Sequence, residues 1–115
     1  MLVARSDDDV VQKLLELYRE AFGGKQNQRF LIAWSDLRSL YGFRKLFESR
    51  FARLAERATD SGIYLWDLGE GENGHFVAVI KVRTVDRWRK VAKRIIDEHK
   101  APSFEDGEDE AGDDD

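Results

Sequence analysis

The sequence predicts a mixed α+β domain in the order helix, strand, helix, helix, β-hairpin, helix, followed by an acidic tail. Three observations predict it. Residues 6–22 and 43–59 repeat apolar positions at helical spacing. Two runs rich in β-branched and aromatic residues, 63–68 (IYLWDL) and 75–81 (HFVAVIK), flank a glycine-rich stretch containing Asn73-Gly74, a hairpin signal. Residues 105–115 hold eight acidic residues and no basic one, a composition that cannot bury apolar surface and is expected to be disordered. The chain is therefore expected to divide into a domain at 1–100 and a tail at 101–115.

The elements follow in order. Ser6 and Asp9 form an S-x-x-D capping pattern, and Asp7, Asp8 and Asp9 suit the positive end of a helix dipole. That helix is expected to reach Phe22, where Gly23-Gly24 stops it. Val10, Val11, Leu14, Leu15, Leu17, Tyr18, Ala21 and Phe22 cover more than a narrow stripe, which predicts burial against two neighbours, one of them a second subunit. A polar loop at 25–28 leads to a strand at 29–33. Ser35-Asp36 is helix-start chemistry and opens a short second helix at 36–41, interrupted by Gly42.

A third helix is expected at 43–59. Phe43, Phe47, Leu54 and Ala58 share one side of a helical wheel, with Phe51 at its edge. Lys45, Ser49, Ala52 and Glu56 lie opposite, flanked by Arg53 and more distantly by Arg50 and Arg57. Asp60-Ser61-Gly62 is a plausible stop, Gly62 taking the left-handed conformation. The hairpin tip at 69–74 is longer than a two-residue turn. Thr84 opens a last helix to about His99, with Val85, Trp88, Val91, Ala92 and Ile95 towards one side and Arg87, Arg89, Lys90, Lys93 and Arg94 over much of the rest. Trp34, Trp66 and Trp88 all fall on apolar faces and are expected in the core.

Composition bounds the chemistry. A chain of 115 residues supports one modest core. It has no cysteine, which excludes disulfides, thiolate catalysis and Cys-ligated zinc. Neither His75 nor His99 has neighbours at metal-ligand spacing, and no nucleophile–base constellation stands out, so neither cofactor nor enzymatic activity is expected. GEGENG lies between two strands instead of opening a helix, so it is no phosphate loop. No apolar run reaches the roughly 18 residues of a membrane span, and the first residues lack the apolar core of a signal peptide, so a cytoplasmic location without membrane contact is expected. The net charge of −4 is segregated: without the tail, 19 basic residues face 15 acidic ones.

The short helix, the turn with Gly42 and the longer basic helix make the pattern of a helix-turn-helix. With the strand before it and the hairpin after it, the element order over residues 9–99 resembles the winged helix-turn-helix superfamily. The resemblance implies that helix 43–59 reads the major groove of double-stranded DNA and that the tip at 69–74 is the wing. It places Arg38, Arg44, Lys45, Ser49, Arg50 and Arg53 as DNA-binding candidates, Arg and Lys being able to reach guanine O6 and N7. Glu70 and Glu72 depart from the basic wing that such proteins use on phosphate.

A homodimeric transcriptional regulator is the first expectation, its dimer surface formed by the first and last helices. The alternative is a protein-interaction module or inhibitor acting through the acidic hairpin or tail. Two readings stay open for the basic residues of 44–57: a DNA-facing surface, or a solvated face paired with Glu48 and Glu56. The tail reads either as a solubilising appendage or as a DNA mimic lying over the basic helices.

Overall fold

A computed structural model describes residues 3–21 and 23–102. Phe22 and the acidic run at 105–115 lie outside these residues. The described chain is α+β, with five helices and one three-stranded antiparallel sheet.

Helix α1, Asp7–Arg19, opens with the expected capping box: Ser6 Oγ accepts from the Asp9 N–H at 3.1 Å, and the Asp9 carboxylate accepts from the Ser6 N–H. It stops short of Phe22 because Glu20 is already extended on the way into a turn where Gly23 and Gly24 both take positive φ. Val10, Val11, Leu14 and Tyr18 are buried, and Leu15 and Leu17 pack at the margin of the same core. Helices α2 and α3 of the same chain cover α1. Val10, Val11, Leu14, Leu15, Leu17 and Tyr18 are thus accounted for inside the protomer and do not call for a second subunit, while Ala21 is exposed.

Strand β1, Phe30–Ala33, runs straight into helix α2, Trp34–Tyr41. The expected start at Asp36 is corrected: Ala33 is the N-cap, without a side-chain hydrogen bond, and Ser35 already lies in the first turn. Gly42 ends α2 at φ +87°, donating its N–H to the carbonyls of Arg38 and Ser39 at 3.1 Å. A side chain at this left-handed position would be strained.

The larger correction concerns helix α3, which spans Glu48–Asp60 and begins five residues later than the spacing of Phe43 and Phe47 predicts. Phe47 is an extended N-cap and is 59% exposed, whereas Leu46 is buried. The left-handed exit at Gly42 breaks the helical phase, and Arg38 holds the connection by donating to the Arg44 carbonyl at 3.0 Å. Within α3, Leu54 and Ala58 are buried and Phe51 and Ala55 are partly so. Gly62, at φ +96°, follows the helix end as expected.

Strands β2, Ile63–Gly71, and β3, Gly74–Lys81, complete a sheet of order β1-β3-β2. Ile63, Leu65, Val77, Val79 and Ile32 face the helices and close the core. The hairpin is longer and its tip tighter than expected, since Gly71 pairs with Gly74 and only Glu72-Asn73 turn. A register shift between Asp67 and Glu70 absorbs the difference.

The expected helix at 84–99 is instead two short ones, α4, Val82–Asp86, and α5, Lys93–His99, with no buried residue in either. Helices this short have little stability without an apolar face to pack, and 87–92 contain three cations and find no core. Trp88 is 50% exposed and Trp66 38% exposed, 5.9 Å apart between centroids, so two of the three tryptophans lie on the surface. Trp34 alone is packed, against Phe51 and His75. Among the described residues no helix is long and apolar enough to cross a membrane.

Candidate nucleic-acid interface

The six candidate residues divide into two groups. Ser49 and Arg53 project from an exposed face of α3 that also carries Ala52 and Glu56. Arg44 and Lys45 are exposed on the connection just before that helix. Arg44, Lys45 and Arg53 form no ion pair among the described residues, although Lys45 Nζ lies 5.2 Å from the centre of the Phe47 ring. No side chain caps the start of α3, whose leading N–H groups and dipole favour an anion.

Arg38 and Arg50 belong to the scaffold. Arg38 is occupied by the Arg44 carbonyl and sits half-buried at the foot of the connection. Arg50 Nε pairs with Asp7 Oδ1 at 2.9 Å, and its guanidinium lies 5.2 Å from the Tyr41 ring and 5.1 Å from that of Phe43. Those two rings stack on each other at 4.6 Å. The Tyr41 hydroxyl donates to the same Asp7 oxygen. Arg57 is likewise paired, with Asp8 at 2.9 Å, though both side chains are exposed. The first turn of α1 therefore anchors α3, a role that three aspartates beside a helix dipole do not reveal.

The anchor is electrostatically coupled. Partial burial pushes the Asp7 carboxyl upward, but hydrogen bonds from Tyr41 and Arg50 and the charges of Arg50 and Arg53 together hold it below its ordinary 3.8. Burial first, and then Asp7, raises the Tyr41 hydroxyl, and the hydrogen bond to Asp7 raises the Arg50 guanidinium. A carboxyl whose folded value lies below its unfolded one stabilises fully above about pH 4 and loses that contribution as pH falls through the folded value. Thermal unfolding between pH 5 and pH 2 should accordingly show a steeper acid loss for wild type than for Asp7→Asn. Equal slopes would remove Asp7 from the anchor.

A second bracket fixes the hairpin. Asp67 Oδ1 accepts from the Gly69 N–H at 2.8 Å and lies 2.6 Å from His75 Nε2, clasping β2 to β3 at the register shift. Trp34 stacks on His75 at 4.4 Å and touches Phe51 at 5.2 Å, tying hairpin, α2 and α3 together. Nothing in the spacing of residues 34, 51, 67 and 75 announces this contact. Beyond it, Glu70 and Glu72 are exposed and unpaired among the described residues. No group of three or more His, Cys, Asp or Glu among the described residues could hold a metal ion. No protein-family model, curated protein or solved structure matches the chain.

Proposed function

We propose that this chain is a winged helix-turn-helix protein that binds double-stranded DNA as a homodimer and acts as a transcriptional regulator, with α3 reading the major groove. The observation that carries the reading is the set of unpaired cations Arg44, Lys45 and Arg53 around the small residues Ser49 and Ala52. Small side chains let the helix approach base edges closely, and the cations match phosphate and guanine acceptors. The order of elements and the β1-β3-β2 sheet support the same reading. The hairpin has a different role from a phosphate-gripping wing, because Glu70 and Glu72 repel a phosphate chain.

Fluorescence anisotropy with a random-sequence duplex tests this. Each neutralised phosphate contributes about −0.9 to the slope of log affinity against log salt, so these cations on two protomers give a slope of about −5. Absence of duplex binding at low salt would overturn the proposal. One observation favours a second reading, a protein-interaction module: Glu70 and Glu72 are an exposed acidic pair at a tight hairpin tip. In that case a cationic protein surface would compete where duplex does not.

A further inference from the structure

The side of the sheet away from the helices is apolar, which an antiparallel sheet facing water is not. Strand β3 shows the cause, since residues 76–80 (FVAVI) are apolar without alternation. Val77 and Val79 enter the core, which leaves Phe76 and Ala78, half-buried, and Ile80, already covered, on the other side. Leu31, Ala78 and Trp66 lie abreast across the three strands, with Leu31 56% exposed. Tyr64 and Trp66 stack along β2, and Trp88 leans over Trp66. An open groove of about 360 Å³ results, lined by Arg29, Leu31, Trp66, Ala78, Ile80 and Trp88.

The same chain carries an apolar segment without a place to pack. Helix α5 has no buried residue, and Val91 and Ile96 are exposed at 64% and 45%. A seven-residue helix has little stability in water without a neighbour. The charges of the two surfaces are complementary. Arg87 and Arg89, at the root of this arm, form no ion pair among the described residues, and neither do Glu70 and Glu72 on the hairpin beside the sheet face.

We infer that the outer face of the sheet is where a second copy of this chain docks, each protomer laying the part of its arm beyond Trp88, residues 89–100, across the groove of the other. The exchange is reciprocal, as a two-fold interface requires, and buries both apolar surfaces at once. It sets the basic arm against the acidic hairpin, which gives Glu70 and Glu72 a partner that is not phosphate. The sheet face lies across the core from α3, so docking there leaves the DNA-facing residues open. A single-stranded nucleic acid could stack bases on Trp66 and Trp88, but the carboxylates of Glu70 and Glu72 on the adjoining hairpin repel its backbone. The inference rests on the homodimer reading, keeps the last helical segment in its surface and replaces the first helix with the sheet.

Sedimentation of the full chain, with crosslinking, tests it. Wild type should be a dimer at micromolar concentration. Leu31→Glu and Ile96→Glu, both at exposed positions, should each weaken it by roughly 30-fold or more, the effect of losing a buried interface anchor. Because the chain has no cysteine, Leu31→Cys protein mixed with size-tagged Ile96→Cys protein should give a crosslink between unlike chains on oxidation. A wild-type monomer would overturn both this surface and the homodimer reading. A dimer indifferent to both glutamates and without the mixed crosslink would overturn the surface alone. A chain carrying both cysteines that closes on itself at nanomolar concentration would overturn the exchange, since the arm would then cover its own sheet. Protection of the thiol at position 31 by oligo-dT would overturn it in favour of single-stranded nucleic acid.

Discussion

Lys45→Glu combined with Arg53→Glu should remove the proposed duplex binding and leave the fold intact. Each lost contact to a base or phosphate costs about 1–3 kcal/mol, so the pair costs roughly 2–6 kcal/mol per protomer, and the reversed charges add repulsion. Both side chains are exposed and outside every ion pair among the described residues, so the unfolding loss should stay small, about 1 kcal/mol or less, most of it from the Arg53 charge that favours ionised Asp7. The residual affinity should also show a shallower salt dependence. A folded double variant with wild-type affinity would exclude α3 as the reader.

Arg50→Ala should behave in the opposite way, although Arg50 is only three residues from Arg53. Removing its guanidinium leaves the Asp7 carboxylate, only 12% exposed, without its cation, and strips a neighbour from the Tyr41 and Phe43 rings. Breaking a fully buried pair costs about 3–5 kcal/mol. The Arg50 side chain is 32% exposed, so solvent screening reduces the cost to about 2 kcal/mol. Denaturant unfolding should show that loss for Arg50→Ala and much less for Arg53→Ala. Duplex affinity, measured below the unfolding range, should respond in the reverse order. If both arginines destabilise equally, the division between anchor and reader fails.

The contrast marks where periodicity stops being informative. The core elements were legible because their signals are local: the Ser6–Asp9 box, the left-handed stops at Gly42 and Gly62, and the strands on either side of Asn73-Gly74. The start of α3 was not, because Phe43 and Phe47 continue the helical spacing upstream while the turn at Gly42 has already broken the phase. Spacing also assigned Arg50 to the outer flank. Its partner Asp7 is 43 residues away and looked like a dipole residue. The last helix read as one amphipathic segment because a wheel plot supplies the apolar face but not the surface to receive it. Among the described residues Lys93–His99 buries no side chain, and Trp88 and Ile96 remain exposed. The acidic hairpin was legible as a departure from a DNA-gripping wing, and its clasp through Asp67, His75 and Trp34 depends on contacts between elements.

Amide chemical-shift mapping with a short duplex tests the central claim most directly, because it reads the contacted surface without a substitution. Perturbations should concentrate in residues 44–56, strongest at Lys45, Ser49 and Arg53, with the outer sheet residues Leu31, Trp66 and Ala78 unmoved. Perturbations confined to the hairpin or the outer sheet face, with α3 silent, would contradict it.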